Sequence, residues 1–139
     1  MPLTTLDIKE PGLNTLPPGV ERYIVEGGGL TGIQILPEDE IEIINNEGNQ
    51  ICEISVFNKD GKSELAILGL KKIKENSEIK KILFKKDEAS LQALLQLKKR
   101  NLDIEKSKSS LVFDKETKAG ESIKLKSKDK CYCIIAAPG

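Results

Sequence analysis

The length of 139 residues fits a single domain, and 38% hydrophobic with 32% charged residues is typical of a folded globular chain rather than a disordered one. The 22 basic residues balance the 22 acidic residues, so the net charge is zero, and aromatic residues make up only 4% of the chain. Such a chain lacks the phosphate attraction and the stacking surfaces of nucleic-acid-binding proteins, and no apolar stretch reaches the ~18 residues that a membrane span requires.

The N-terminal segment is rich in turn-forming residues. Residues 1–20 contain several prolines and glycines, which predict an irregular arm ahead of a single β-rich domain over residues 21–139. Within that domain, residues 21–26 and 30–36 predict two strands, and Gly27-Gly28-Gly29 breaks the chain between them. The N-terminus lacks the basic and apolar regions of a signal peptide. Because the three cysteines do not pair off, we expect a protein of the reducing cytoplasm.

Residues 36–57 have the pattern of a β-hairpin. A turn over residues 37–39 leads into the β-branched run 40–45, and a second turn centred on Gly48 leads into the run 50–58. Asn and Gly tolerate the backbone angles of a tight reversal, so we predict that these two strands pair with each other.

After residue 58 the spacing of the apolar residues changes from that of a strand to that of a helix. Ser63 is a candidate cap for a helix over residues 64–74, and Ser77 is a candidate cap for a short helix that follows. Asp87 opens the clearest helix, over residues 88–100, with Asn101 as its left-handed end. The spacing of its leucines predicts one buried stripe on this helix. That stripe consists of Leu91, Leu94 and Leu95, continued by Leu102.

Strand character returns in the last part of the chain, at residues 111–113, 122–126 and 131–137. The last run is apolar on both faces, so we expect it to lie in the centre of a sheet. Because such a strand rarely ends a chain, we also expect a longer protein of which this is the N-terminal part. The predicted fold class is α+β: a β-barrel or jelly-roll-like two-sheet core with two or three helices inserted at about residues 63–102.

Two segments carry a family resemblance. Residues 37–57 combine an acidic turn, a strand, Glu-Gly-Asn-Gln and a second strand with an acid three residues after the glutamine, and residues 134–139 end in Ala-Ala-Pro-Gly. Both resemble the urea carboxylase-associated domains, a β-rich family of unassigned function. The helical insertion and the glycine-rich break most resemble the domain N-terminal to aminomethyltransferase-like proteins of the glycine-cleavage T-protein type in alphaproteobacteria.

The resemblance implies an accessory or interaction domain of a folate-linked one-carbon enzyme, whose partner is a C-terminal transferase domain. The segment itself is then not catalytic, whereas the whole protein would be a transferase. Members of the broader family carry His or Cys residues suited to a metal. This chain contains no histidine, so we expect neither a metal nor a cofactor.

The candidate ligand-binding residues are Asn49, Gln50 and Glu53. A glutamine amide and a carboxylate at the start of a strand can hold a small polar metabolite, which makes a small-molecule-binding module or weak enzyme the alternative function. In the competing interpretation, Asn49 forms the turn and Gln50 bonds to neighbouring backbone groups. On a regular strand Gln50 and Glu53 start on opposite faces, so a shared pocket requires a bulge between them.

Three further features have simpler structural explanations. Gly27–Gly29 can cradle an anion, but no helix or Lys-Ser/Thr pair follows, and a bend between strands is favoured. Cys131 and Cys133 share a strand face and with Cys52 can bind zinc in principle, but buried small side chains are favoured. The basic residues near the long helix are interleaved with acids, which favours a solvated helix end over a phosphate site. They are Lys98, Lys99, Arg100, Lys106 and Lys108.

Overall fold

The computed structural model describes residues 8–9, 20–24, 29–45, 48, 51–74, 77–114 and 116–137. Within these ranges the chain forms eight strands, two α-helices and one 3-10 helix, Leu65–Leu68. The strands are β1 (Ile8–Lys9), β2 (Val20–Ile24), β3 (Gly29–Ile35), β4 (Glu40–Asn45), β5 (Cys52–Phe57), β6 (Ser109–Phe113), β7 (Glu121–Lys126) and β8 (Cys131–Ala137). The helices are α1 (Glu78–Leu83) and α2 (Glu88–Lys99).

The strands form two sheets. One sheet has five strands in the order β1-β3-β8-β5-β6, and the other has three in the order β2-β4-β7. The pairs β1–β3 and β2–β4 are parallel, and the remaining pairs are antiparallel. Both helices and the 3-10 helix lie between β5 and β6, so the predicted two-sheet α+β fold with inserted helices is confirmed.

The five-stranded sheet is covered on both faces. One face packs on the three-stranded sheet through a core that includes Ile33, Ile54 and Val56 on one side and Ile41 and Ile43 on the other. The opposite face packs on the helical insertion through a second core. That core contains Phe57, Ile79, Leu83, Ala93, Leu97, Leu102, Ile104, Ile134 and Ala136. The strands of this sheet therefore need apolar residues at consecutive positions.

Strand β8 lies in the middle of the five-stranded sheet, between β3 and β5, as its apolar sequence predicts. Its register sets Ile134 opposite Gly32 on β3 and Ser55 on β5. Alternate residues enter different cores: Cys133 and Ile135 face the other sheet, whereas Ile134 and Ala136 face the helices. A strand buried on both faces has no position that tolerates a polar side chain cheaply.

The predicted β4–β5 hairpin is wrong. Strand β4 pairs with β2 and β7 in the three-stranded sheet, whereas β5 pairs with β8 and β6 in the five-stranded sheet. The reason lies in the burial of the two strands. Alternate residues of β4 are buried, while all six residues of β5 are buried, so β5 needs cover on both faces and β4 on only one.

Gly48 has the backbone conformation that the predicted turn requires, and it lies in the chain between β4 of one sheet and β5 of the other. Gly48 has φ of +80°, and its backbone N–H donates to Asn45 Oδ1 at 2.9 Å. A side chain at this position would start only 2.6 Å from the Ala119 backbone nitrogen. Gly48 is therefore required both by its backbone angle and by the loop packed against it.

The predicted helix over residues 64–74 is also wrong. Only the 3-10 helix Leu65–Leu68 forms, and it ends at Gly69, which is left-handed with φ of 72°. Ser63 Oγ accepts a hydrogen bond from the Lys108 backbone instead of capping the helix. The chain then runs to Lys74, whose backbone N–H donates to the Ser109 carbonyl at 2.8 Å and so joins the insertion to the sheet.

Both later helices begin where their caps predict. Ser77 Oγ accepts from the Lys80 backbone N–H at 3.2 Å, and Asp87 Oδ1 accepts from the Ser90 backbone N–H at 2.8 Å. The bond from Ser90 also lowers the pKa of Asp87. At the other end of α2, Asn101 is left-handed with φ of 59°, which confirms the predicted C-terminal cap.

The predicted buried stripe of α2 is mostly wrong. Leu91 and Leu95 are 52% and 53% exposed, and Leu94 is only partly buried. The buried positions of α2 are Ser90, Ala93 and Leu97, which follow helical spacing along a neighbouring face. Leu102 is buried as predicted. Serine and alanine carry a weak apolar signal, so the leucines alone indicate the wrong face.

Candidate functional site

The candidate site centres on Glu53, a carboxylate buried between the five-stranded sheet and the helical insertion. Residues Cys52, Ile54 and Val56 of β5 face the other sheet, so Glu53 and Ser55 alternate to the opposite face, towards the helices. Glu53 has no exposed surface. A buried carboxylate is costly unless charged or hydrogen-bonding groups surround it.

Three groups surround the Glu53 carboxylate. Ser109 Oγ on β6, itself fully buried, donates to Oε1. The backbone N–H of Glu78, in the first turn of α1, donates to Oε2 at 2.8 Å. Lys74 Nζ lies 3.8 Å from the same oxygen. One side chain on β5 therefore holds β6, the start of α1 and the segment before it.

These contacts show how the Glu53 carboxylate joins the sheet to the helical insertion, and its binding role stays a prediction. Both oxygens accept hydrogen bonds, and the positive charge of Lys74 is directed at Oε2. A general acid or base must exchange a proton with a substrate within hydrogen-bond distance, and Glu53 is closed to solvent. Next to it on the same strand face, the buried Ser55 Oγ has no hydrogen-bond partner among the described residues.

A half-open groove lies beside this cluster, at the edge of the five-stranded sheet. Its volume is about 320 Å³, and its lining residues are Lys72, Ile73, Lys74, Leu111, Val112 and Asp114. The pairing of β5 with β6 shifts register between Cys52 and Glu53, next to Val112. The extra residue of this irregularity is Val112 on β6, so it is not the predicted bulge between Gln50 and Glu53, and the Glu53 carboxylate remains covered.

The three cysteines are buried in the core between the sheets, and none forms a disulfide. Cys131 and Cys133 share a strand face as predicted, with their Sγ atoms 3.9 Å apart. Burial, with a smaller contribution from the Glu53 charge, raises the pKa of Cys52 to about 12. Burial also raises the pKa of Cys133. The pKa of Cys131 is lowered instead, because the Cys131 thiol shares a hydrogen bond with Cys133.

We expect all three thiols to react slowly in the folded protein, because the thiolate is the reactive form and burial blocks access. Titration with a chromogenic disulfide at neutral pH should therefore give a slow reaction in buffer and three rapid equivalents in urea. Elemental analysis should find no stoichiometric zinc. Rapid reaction of the folded protein, or one tightly held metal per chain, would contradict this prediction.

The basic side chains near α2 are exposed to solvent, as the sequence predicts. Lys98, Lys99 and Arg100 are exposed at the end of α2, where the Arg100 guanidinium lies 5.8 Å from the centre of the Tyr132 ring. Lys106 and Lys108 are exposed in the following loop. In the described part of the chain, no group of three or more His, Cys, Asp or Glu residues is arranged to hold a metal ion.

Of the three predicted ligand-binding residues, the structure places Glu53 alone. Asn49 and Gln50 lie outside the described residues, as do Gly27 and Gly28, so their binding roles stay predictions. Sequence reasoning missed the partners of Glu53, since Ser109 is 56 positions away and Glu78 is 25 positions away. No local motif indicates such contacts. The one available signal is an acid inside a strand of apolar residues, which shows that the acid needs partners but not which residues they are.

Comparison with known proteins gives one informative relative. The chain is 32% identical over 133 residues to the trimethylamine-oxide aldolase of Ruegeria pomeroyi, an alphaproteobacterium. The matching region covers 95% of this chain and 17% of that relative. No family model matches the chain, and no solved structure matches it. In the described ranges, no helix is long and apolar enough to cross a membrane.

Proposed function

We propose that this chain is a non-catalytic accessory domain of a longer enzyme of amine and one-carbon metabolism. In this proposal the catalytic partner is a C-terminal transferase domain of the aminomethyltransferase type, which uses folate. The relation to trimethylamine-oxide aldolase supports the metabolic setting, and the match to only 17% of that relative supports a role as one part of a larger protein.

The observation that carries the proposal is the environment of Glu53. It is the one fully buried acid of the described residues, and its oxygens bond to Ser109, the start of α1 and Lys74. An acid used in this way fixes the helical insertion on the sheet, and its burial keeps both carboxylate oxygens away from a substrate in solvent. In this proposal the motif position Glu53 acts in folding rather than in binding a substrate.

Small-molecule binding is the second candidate, and the groove beside Lys74 favours it. A volume of about 320 Å³ falls at the lower end of the range for ligand pockets. The groove combines exposed apolar surface on Ile73 and Leu111 with the charges of Lys72 and Asp114. Such a lining suits a small zwitterion better than a purely apolar ligand.

A titration followed by ¹⁵N NMR distinguishes the two candidates. The isolated chain is titrated with trimethylamine oxide, and the amide shifts of residues 49–53 and of the groove are recorded. If the chain is an accessory domain, the shifts change weakly and linearly without saturation. Saturable shifts at residues 49–53 would contradict the accessory role and support the predicted pocket, and saturable shifts confined to residues 72–74 and 111–114 would place binding in the groove.

Two variants serve as controls for this titration. Gln50→Ala removes the predicted ligand amide, and it should abolish saturable shifts if the pocket at residues 49–53 exists. Lys72→Ala removes an exposed groove lysine, and it should weaken binding only if the ligand occupies the groove. The Lys72 side chain is exposed, so its removal leaves the buried cluster around Glu53 intact.

A further inference from the structure

The outer face of α2 presents two neighbouring leucines to solvent. Leu91 and Leu95 are one helical turn apart and are 52% and 53% exposed, while Leu97 on the inner face is fully buried. The inner face of α2 already packs in the core with α1 and the sheet. Neighbouring exposed leucines on a helix face are a common feature of protein contact surfaces.

Charged residues flank these leucines in an ordered way. Asp87 and Glu88 lie at the start of α2, and Lys98 and Lys99 lie at its end. At about 100° per residue, all four fall with the two leucines within roughly a third of the helix circumference. Neither lysine, nor Glu88, forms an ion pair among the described residues, and Asp87 uses its side chain only to cap the helix. We call this exposed surface the α2 stripe; it consists of Asp87, Glu88, Leu91, Leu95, Lys98 and Lys99.

We propose that the α2 stripe binds the α2 stripe of a second copy of this chain, in an antiparallel arrangement about a two-fold axis level with Ala93. In that arrangement Leu91 of each copy meets Leu95 of the other. Glu88 of each copy meets Lys98 of the other, and Asp87 meets Lys99. The charge pattern is thus complementary to itself only when the helices run in opposite directions, which also aligns the two helix dipoles favourably.

The occupant is a second copy rather than an unrelated partner because the stripe carries both signs of charge in mirrored order. An acidic partner would meet Asp87 and Glu88, and a basic partner would meet Lys98 and Lys99. A parallel pair of α2 helices would place like charges together. One helix of 12 residues on each side buries less surface than a standard interface, so the dimer is weak and depends on concentration.

Charge-reversal variants test the proposal, because two single reversals should weaken the dimer and their combination should restore it. Sedimentation velocity of the wild-type chain, from micromolar to millimolar concentration, should show a monomer that converts to a dimer. Glu88→Lys alone and Lys98→Glu alone should each weaken the dimer by tenfold or more in Kd, because each places like charges together twice. The double variant Glu88→Lys/Lys98→Glu restores both opposite-charge pairs and should return the Kd to within a few-fold of the wild-type value.

Gln96→Lys is the matched control, because it adds a charge to an exposed position of α2 outside the stripe and should leave the Kd unchanged. Circular dichroism of each variant verifies that the helix is intact. Two results would overturn the proposal. One is a wild-type chain that stays monomeric at millimolar concentration, which would assign the stripe to another partner. The other is a dimer that the two single reversals do not weaken, or that their combination does not restore.

Discussion

Replacing Glu53 with alanine is expected to lower the free energy of unfolding by roughly 3–5 kcal/mol, because two hydrogen-bond donors each lose an acceptor at a cost of about 1–3 kcal/mol. The substitution leaves Ser109 Oγ and the Glu78 N–H without this acceptor and removes the carboxylate that faces Lys74. It also creates a cavity between β5 and α1. Equilibrium unfolding in urea, followed by circular dichroism, measures the change.

Two further variants show whether the loss belongs to the Glu53 cluster. Glu53→Gln keeps the shape but removes the charge and one acceptor, so its cost should be smaller, about 1–3 kcal/mol. Glu121→Ala removes an exposed acid from β7 and should change stability by no more than about 0.5 kcal/mol. A Glu53→Ala variant as stable as Glu121→Ala would show that the cluster does not hold the insertion on the sheet.

Leu97→Ala is expected to cost about 2–5 kcal/mol, as large-to-small changes in a packed core do. Leu97 is fully buried on α2, in the core shared with α1 and β8. Its neighbour Leu95 is 53% exposed, and Leu95→Ala should change stability by only about 0.5 kcal/mol because alanine favours the helix. Both variants are measured by urea unfolding at low protein concentration, where the chain is monomeric.

The comparison between these two leucines decides which face of α2 is buried. Leucine spacing alone predicts that Leu95 matters and gives no role to Leu97, whereas the structure predicts the opposite. Equal losses for the two substitutions would contradict the packing of α2 described here. A larger loss of stability for Leu95→Ala than for Leu97→Ala would show that the buried face is the one predicted from the leucine spacing.

Local signals in the sequence predict local structure well. Ser77 and Asp87 begin their helices because their side chains accept from backbone N–H groups three residues later. Asn101 ends α2 because asparagine tolerates a left-handed backbone. The central position of β8 follows from its composition, since consecutive apolar residues need cover on both faces.

Pairing and burial depend on distant residues and are harder to predict. Gly48 has the positive φ that its predicted turn requires, but a turn does not decide whether the strands on its two sides belong to one sheet. The same limit applies to the site. Glu53 is identifiable as an unusual acid in an apolar strand, yet its role depends on Ser109 and on the start of α1, which the fold alone brings to it.

Turnover of trimethylamine oxide by the isolated chain decides whether the domain is catalytic on its own. Consumption of the compound is followed by proton NMR, with the Ruegeria pomeroyi enzyme as the positive control. An accessory domain without its catalytic partner should consume no more than a buffer blank. Sustained consumption that follows the concentration of the isolated chain, and that Gln50→Ala or Glu53→Gln abolishes, would show that this chain contains an active site of its own.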